Sequence, residues 1–416
     1  MPSLPSLPPL RYCFPFLDPS TEDWSMSARL LRWLTIAWAV FGLMVLLSAS
    51  YAVAEADLGD GLYYVKRQAL WMILGLLCFN TITHTNLRHL IGFAPWGCIG
   101  LLGLILLTLM PGIGTTINGA TRWLYIGFIP IQPSELIKPF LILQGAWVFS
   151  QWFRLRWSTR FLWLGIFALV MGAILLQPNL STAGLSGMLL WLIALAAGVP
   201  YGQLLGTACA GLVVGVVSVS RNEYQLRRIL SFLDPWASAQ EDGYQLTQSL
   251  MAIGTGGGWG TGYGLSHQKL FYLPIQHTDF IFAVFAEEFG FFGGICFLLF
   301  LAIYGTLGLT IALKSPRKIH QLIAIGAVIL LVGQSLINIG VASGALPTTG
   351  LPLPLFSYGG NSMLSSLIIA GFLVRVARET SEAAVISIHD DLSTPTIAPP
   401  NDRSARRRRL SLSRSR

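Results

Sequence analysis

The sequence contains very little charge. Only 11% of its 416 residues are Asp, Glu, Lys or Arg, whereas a soluble domain carries about 25%. Hydrophobic residues make up 53% of the chain, and the mean hydropathy is +0.62. A soluble core cannot hide so much apolar surface, but a surface that faces lipid does not have to be hidden. The composition therefore excludes soluble globular classes and indicates one integral membrane domain.

Cysteine is also scarce, and its positions do not suit cross-linking. The five cysteines lie in the N-terminal segment or inside apolar runs, and none lies in the long polar segment 221–277. No two of them have CxxC spacing. This pattern excludes a disulfide framework and a cysteine-based zinc site.

Apolar runs of membrane-spanning length are frequent. Crossing about 30 Å of hydrocarbon takes about 20 helical residues, and about ten runs reach that length. We therefore predict an all-α, polytopic membrane protein. The predicted spans lie near residues 30–54, 66–84, 90–111, 134–152, 160–177, 182–199, 201–220, 278–313, 319–343 and 355–379.

The distribution of Lys and Arg predicts the orientation of these spans. The larger share of the 27 Lys and Arg lies beside alternate short loops and in the tails, which the positive-inside rule places in the cytoplasm. We predict a membrane domain at 29–380, disordered cytoplasmic tails at 1–28 and 381–416, and a large extracytoplasmic loop at 221–277, between helices 7 and 8. The basic run Arg406–Arg409 indicates an anchor to the anionic cytoplasmic leaflet rather than a specific partner site.

The stretch 254–264, GTGGGWGTGYG, is rich in glycine but does not predict a phosphate loop. It matches neither GxGxxG nor GxxxxGK[ST], and no predicted strand precedes it. We interpret it as flexible backbone that lets a substrate or a helix approach closely.

An acidic helix start follows the long loop, in the segment KLFYLPIQHTDFIFAVFAEE. Asp279 lies where this loop meets the predicted eighth span, and two interpretations stay open. Thr278 or Asp279 could cap the helix, or Asp279 could be catalytic, as ionisable groups at membrane depth often are. Glu287 and Glu288 lie about 12 Å further along the helix, which favours a structural or pathway-lining role over pairing with Asp279.

Two further segments carry unusual polar residues. In GATRWLYIGFIPIQPSELIK, Glu135 and Lys138 are i,i+3 neighbours beside Pro133, which suits the first turn of a helix. They form either a structural ion pair or a charged lining for a diphosphate and sugar headgroup. In ALPTTGLPLPLFSYGGNS, prolines and glycines predict non-helical backbone, which at membrane depth must line a cavity or be buried in protein.

These segments, together with FLDPW and GYQLTQSLMAIG, resemble the SEDS family of bacterial cell-wall polymerases, also called the FtsW/RodA/SpoVE family. The resemblance covers about residues 30–380 and rests on several long motifs in family order. The GYQLTQSL and QK segments are more similar to the division branch than to the elongation branch. The sequence departs from the family pattern at Asn179, usually acidic, at Gln276 and at Asn361.

The resemblance implies a peptidoglycan glycosyltransferase that polymerises lipid II on the outer face of the cytoplasmic membrane. Asp279 matches the essential aspartate of the family. As general base it would take the proton from the acceptor 4-hydroxyl while that oxygen attacks the anomeric carbon of the donor, and undecaprenyl diphosphate would leave.

The same resemblance implies the remaining features of the site and its surroundings. We expect a class B penicillin-binding protein and other divisome proteins as partners, no nucleic acid, and a multi-pass location in the inner membrane at the division septum. No cofactor is certain; a divalent cation, Mg²⁺ or Mn²⁺, could share the work of binding diphosphates, and its ligands are unknown. The predicted substrate-binding residues are Arg122, Gln132, Ser134, Glu135, Lys138, Arg227, Arg228, Gln248, Lys269, His277 and Ser357.

Two other functions remain open on the sequence alone. A lipid II flippase would use buried charges along a path through the membrane, such as Glu135, Lys138, Glu287 and Glu288. A noncatalytic divisome scaffold would not need Asp279.

Overall fold

The computed structural model describes residues 21, 23–117, 120–127, 129–270 and 272–393. The predicted tails at 1–28 and 381–416 lie mostly outside these residues, as does the basic run Arg406–Arg409. The last helix continues to Ser393, which is beyond the end predicted for the membrane domain.

Helices account for most of the described chain, and those predicted from hydropathy are present, with most of their ends within a few residues of the prediction. A π-helical turn, Ile329–Gly333, joins α11 to α12, so that these two helices form one span. The helices are α1 Met26–Leu58, α2 Tyr63–His84, α3 Leu87–Thr108, α4 Pro133–Ser150, α5 Trp157–Leu176, α6 Leu180–Ala197, α7 Tyr201–Arg221, α8 Glu223–Leu233, α9 Tyr244–Gly256, α10 Ile281–Lys314, α11 Lys318–Val328, α12 Gln334–Ala342 and α13 Gly360–Ser393.

Eight helical segments within the described residues are long and apolar enough to cross a membrane. They confirm an all-α polytopic membrane fold. The other two predicted spans coincide with α2 and α4, which are 22 and 18 residues long but more polar. Their polar side chains, including Gln68 and Asn80 on α2 and Gln144 on α4, are buried in the bundle rather than turned to lipid. Hydropathy underrates such helices because the scale assumes that every side chain meets lipid.

The all-α prediction missed one small sheet. Between α3 and α4, strands β1 (Thr115–Ile117), β2 (Ala120–Ile126) and β3 (Ile129–Ile131) pair antiparallel in the order β1-β2-β3. Gly127, with a φ of 62°, makes the tight turn between β2 and β3. Strands β1 and β3 have only three residues each, and β2, ATRWLYI, does not alternate between apolar and polar side chains, which explains why sequence reasoning did not predict the sheet.

The predicted long loop contains regular secondary structure. It holds α8 and α9 and then returns to α10 through the glycine-rich stretch. There the backbone N–H groups of Thr261 and Gly262 donate to the carbonyls of Glu287 and Glu288 at 2.9 and 3.1 Å. Those carbonyls are free because α10 is broken at Gly290, which has a φ of 67°. The glycine stretch therefore approaches a helix closely, as predicted, and completes the hydrogen bonding of that broken helix.

Three segments meet at one end of the bundle, which we call the loop end. They are the sheet segment 111–132, the long loop 221–280, and the link 343–359 before α13. Asn338 on α12 ties two of them together, since its amide nitrogen donates to the backbone oxygens of Asp279 and Leu351 at 2.7 and 2.8 Å.

Candidate functional site at the loop end of the bundle

Asp279 lies in the turn before α10, and its side chain does not cap that helix. The helix begins at Ile281 and the residue before it is Phe280, so no side chain supplies a cap bond there. The Thr278 hydroxyl donates to the carbonyl of Ile275 at 2.9 Å. The capping interpretation of Thr278 and Asp279 is therefore wrong, because the turn extends two residues further than the sequence indicated. The Asp279 carboxylate is left available for another role.

Arg228 of α8 is close to the Asp279 carboxylate. Both approach Gly350 in the link before α13: a Cβ placed on Gly350 would lie 3.3 Å from Asp279 Oδ2 and 3.8 Å from Arg228 Nη1. Gly350 itself has a φ of 70°, which a residue with a side chain rarely adopts. The absence of a side chain at this position keeps the space around the carboxylate open.

The surroundings of Asp279 adjust its proton affinity in opposite directions. Burial raises the pKa of the Asp279 carboxyl above its ordinary value, while the charges of Arg228 and then Arg122 lower it and that of Glu135 raises it. Burial is the largest effect, so the net direction is upward. A carboxylate of raised pKa is a better proton acceptor than an ordinary surface aspartate.

The backbone around Asp279 is held by contacts with the link before α13. The Ser357 hydroxyl donates to the carbonyl of Thr278 at 2.5 Å and accepts from the backbone N–H of Leu353 at 2.8 Å. The N–H of Tyr358 donates to the carbonyl of His277 at 2.8 Å. Ser357, predicted to bind substrate, is thus placed as a support for the turn that carries Asp279.

His277, another predicted substrate-binding residue, is packed among aromatic rings. Its ring stacks on Tyr64 with centroids 4.4 Å apart and meets Tyr358 edge-on at 5.7 Å. Burial lowers the pKa of His277 to about 4, so the ring is neutral at physiological pH. The packing of this ring holds the segment just before Asp279, and substrate binding by His277 stays a prediction.

Glu135 and Lys138 form a buried ion pair at the start of α4. Lys138 Nζ lies 2.7 Å from Glu135 Oε1 and 3.4 Å from Gln334 Oε1, and both ionic side chains are at most 5% exposed. Gln334 in turn donates to the carbonyl of Pro352 at 2.7 Å. The pair is thus linked to the same segment, 343–359, that contacts Asp279. The charge of Glu135 also acts on Asp279, so the structural interpretation of the pair is compatible with a role at the site.

Arg122 joins the sheet to the α5–α6 connection. Its guanidinium donates from Nε to the carbonyl of Gln177 at 3.1 Å and from Nη2 to the carbonyl of Pro178. The neighbouring Asn179 is the N-cap of α6, and its side chain accepts from the backbone N–H of Thr182 at 3.3 Å. Asn and Asp cap helices about equally well, so the departure from the family pattern at Asn179 is structurally tolerable.

Two predicted cations have other partners. Arg227 Nη2 lies 2.5 Å from Glu223 Oε1 on an exposed face of α8, and this bond raises its pKa. Lys269 Nζ is buried 2.7 Å from Glu288 Oε1 and 2.8 Å from the hydroxyl of Ser48. Sequence reasoning could not separate these residues from Arg228, because the distinction depends on which face of the loop each one occupies.

Glu287 holds the loop that leads to Asp279. Its buried carboxylate accepts hydrogen bonds from the backbone N–H groups of His267 and Gln268 at 2.9 and 3.3 Å, and from the hydroxyls of Ser266 and Thr255. These contacts agree with the structural role that spacing suggested for Glu287.

The remaining predicted residues lie on segments of the loop end or next to them. Gln132 immediately precedes α4, and Ser134 and Gln248 lie on α4 and α9. Within the described residues, the Ser134 hydroxyl and Gln248 Oε1 are buried without a hydrogen-bond partner, as is the hydroxyl of Thr349 beside Gly350. Buried polar atoms of this kind are available to a polar ligand.

Sequence reasoning missed three residues of the site. Asn338, Gln334 and Gly350 organise the turn, the ion pair and the open space described above. Asn338 and Gln334 are polar residues inside an apolar span, which is the signal that could have identified them. Gly350 was one of several glycines in its segment, and only the structure singles it out.

The ligands for a divalent cation are not assembled by the protein alone. In the described part of the chain, no group of three or more His, Cys, Asp or Glu could hold a metal ion. The positive charges of Arg228 and Arg122 act on Asp279 and compete with a cation. The residues present therefore do not fit a protein-built Mg²⁺ or Mn²⁺ site, and metal dependence stays a prediction.

The chain is similar to curated proteins over nearly its whole length. A protein of Synechocystis sp. (strain PCC 6803), named probable peptidoglycan glycosyltransferase FtsW, is 56% identical over 379 residues, covering 91% of this chain and 96% of that protein. A protein of the same name from Halorhodospira halophila is 36% identical over 382 residues, covering 88% of this chain and 94% of the relative.

Solved structures have the same fold. One is a chain of a peptidoglycan synthase complex described as coordinating polymerization and crosslinking, with a TM-score of 0.68, 29% identity and coverage of 84% of this chain and 97% of that one. Another is the Thermus thermophilus rod shape determining protein RodA, with a TM-score of 0.63, 28% identity and coverage of 87% and 99%.

The fold and the site define a multi-pass membrane protein with a charged site at one end of its helix bundle. The family model described as "Cell cycle protein", that of FtsW, RodA and SpoVE, matches residues 28–382. The chain belongs to this family.

Proposed function

We propose that the protein is a peptidoglycan glycosyltransferase that polymerises lipid II on the outer face of the cytoplasmic membrane. The observation that carries the proposal is Asp279: a carboxylate of raised pKa that is not used as a helix cap, set at the loop end with Arg228 beside it. The names of its relatives support the same activity.

The proposed reaction balances with Asp279 as the proton acceptor. A carboxylate oxygen of Asp279 takes the proton of the acceptor 4-hydroxyl, whose oxygen bonds to the anomeric carbon of the donor. The bond from that carbon to the diphosphate oxygen breaks, and undecaprenyl diphosphate leaves with its electron pair. Arg228 lies where it can offset the negative charge of the diphosphate, with Arg122 as a second cation.

The structure offers less support for a flippase. Glu287 and Glu288, which would line a path through the membrane, are occupied by hydrogen bonds and an ion pair that hold the long loop. Lys138 and Glu135 neutralise each other inside the bundle. A polar path for a headgroup would have to break both arrangements, at a cost of several kcal/mol.

We further propose that the enzyme works with a class B penicillin-binding protein in the inner membrane, at the division septum. Support comes from the similar chain that is part of a peptidoglycan synthase complex, and from the FtsW names of the relatives.

The test uses purified protein in proteoliposomes with a class B penicillin-binding protein and lipid II. We expect glycan polymer, without net transfer of lipid II headgroups between leaflets. Headgroup transfer without polymer would replace the proposal with the flippase. If protein shown to be folded and bound to its partner gives neither polymer nor headgroup transfer, the result would support the noncatalytic scaffold.

A further inference from the structure

The apolar face of helix α8 points away from the protein. At about 3.6 residues per turn, four leucine and isoleucine side chains share one face of this helix. They are 37–72% exposed, whereas Ser231 on the opposite face is 6% exposed and Arg228 on that face approaches Asp279. The exposed apolar residues are Leu226, Ile229, Leu230 and Leu233.

This orientation is the reverse of what water favours. A helix in an aqueous loop packs its apolar stripe against the protein and exposes its polar face. Here the polar face contacts the protein and the apolar stripe is uncovered, so something other than water must cover it.

The path of the chain brings the apolar stripe to the end of a helix of membrane-spanning length. Helix α7, whose single buried residue is Leu204, is exposed along most of its length, as expected of a helix at the lipid-facing edge of the bundle, and it ends at Arg221. Helix α8 begins at Glu223, and the Ser218 hydroxyl near the end of α7 lies 3.3 Å from Gln225 Oε1 in the first turn of α8. This contact holds the start of α8 level with the last turn of a spanning helix.

A tryptophan shortly after α8 fits an interfacial position as well. Trp236, three residues beyond the helix, is 59% exposed, and tryptophan is enriched where membrane meets water. The exposed ion pair of Arg227 and Glu223 lies at the edge of the apolar stripe, where headgroups and water would meet it.

We propose that α8 lies at the interface between membrane and water, on the outer face of the cytoplasmic membrane, with its apolar stripe in lipid. This position of the helix holds Arg228 against Asp279. The helix is thus an interfacial anchor for a positioning residue of the site. The position of α8 in lipid does not depend on the activity of the protein, whereas the effect of that position on Asp279 rests on the proposed function.

Spin labels measure the depth of the helix directly. The full-length protein with its five cysteines replaced by alanine would carry a single label at Leu230→Cys or Leu233→Cys, in proteoliposomes. The matched control is Glu241→Cys, an exposed position in the same loop. We expect the two leucine positions to be more accessible to oxygen than to a water-soluble nickel complex, and Glu241 to show the reverse.

Two outcomes would overturn the proposed position of the apolar stripe in lipid. Leucine positions as accessible to nickel as Glu241 would place the stripe in water. Labels that are open to nickel alone but become immobilised when a class B penicillin-binding protein is added would assign the stripe to a protein partner.

The effect on the site has its own readout. Leu230→Glu and Leu233→Glu should lower polymerisation by about tenfold and move the acid limb of the pH–rate profile upward, because Arg228 would withdraw from Asp279. Leu230→Met, which keeps an apolar side chain, should leave both unchanged. An unshifted limb in the glutamate variants would sink the positioning role. Absence of polymer from wild type would instead overturn the proposed function. The depths of the spin labels would still show whether α8 lies in lipid.

Discussion

Asp279 and Arg228 lie about fifty residues apart in the sequence, on two sides of a loop that folds back on itself. The sequence identified both as candidates, together with ten others. Neither pattern nor charge could tell Arg228 from Arg227, its neighbour. The distinction arises because successive residues of a helix point about 100° apart, so that one arginine meets Asp279 and the other meets Glu223.

Arg228→Gln should raise the pKa of Asp279, since the lost positive charge favours the ionised carboxylate. A general base acts only when deprotonated, so the acid limb of the pH–rate profile should move up by about one pH unit. Arg227→Gln is the matched control and should leave the limb in place. A shift of equal size in both variants would mean that long-range charge, and not contact, controls Asp279.

His277 gives the site a stability that depends on pH. Its pKa is about 4 in the folded protein against 6.5 for an ordinary histidine, so between these values the unfolded chain binds more protons. Stability should therefore fall as the pH drops from about 6.5 to about 4, by up to ~1.4 kcal/mol per pH unit, and this contribution should not fall further below that range.

The measurement compares thermal unfolding of wild type and His277→Phe in detergent across this pH range. Phenylalanine keeps the aromatic stacking on Tyr64 and cannot be protonated. The difference between the two curves isolates the histidine, and parallel curves would show that His277 is already protonated or exposed in the folded protein.

At the scale of elements, α10 and the glycine-rich stretch form one unit. Hydropathy predicted the span but not its break, because one glycine inside a helical pattern does not by itself indicate a break. The break is possible because the carbonyls that it frees accept from Thr261 and Gly262. A sequence pattern describes one segment at a time, whereas these hydrogen bonds join two segments, so no pattern could predict them.

Gly290→Ala should destabilise the protein by about 3 kcal/mol or more. Its φ of 67° suits glycine, and a Cβ there would lie only 2.3 Å from the backbone nitrogen of Gly260. Gly294→Ala, on the same helix with open space around its Cβ position, is the control and should cost little. Equal unfolding temperatures for the two variants would contradict a break at Gly290.

The ion pair between Lys269 and Glu288 clamps the same unit. Lys269→Met leaves a buried carboxylate unpaired and should cost about 3–5 kcal/mol, while adding Glu288→Gln should recover part of that loss. The free energies of unfolding of the two single variants and the double variant measure the coupling. Additive losses would show that the two side chains do not interact, and would leave Lys269 available for its predicted substrate-binding role.

At the scale of the whole molecule, apolar runs predicted the bundle well because every spanning helix must cross the same thickness of hydrocarbon. The loop end was predicted only in outline. Its small sheet, its helix α8 and the supports at Asn338 and Gln334 depend on contacts between segments far apart in the chain, which no local pattern records.

The bundle brings three of these segments to one end, where a lipid-linked substrate can keep its tail in the bilayer and its sugars at Asp279. The proposed polymerisation therefore depends on the single carboxylate of Asp279 at that end. Asp234, at the end of α8 in the same loop, is an exposed aspartate whose carboxylate accepts from the backbone N–H of Ala237 at 3.1 Å. It provides a matched control.

The most direct test measures glycan polymer from lipid II by three reconstituted proteins, each with its penicillin-binding partner: wild type, Asp279→Asn and Asp234→Asn. The asparagine keeps the shape of Asp279 but cannot accept the proton, so we predict no polymer from Asp279→Asn and normal polymer from Asp234→Asn, with unchanged unfolding temperatures. Polymer from folded Asp279→Asn at the wild-type rate would contradict the account.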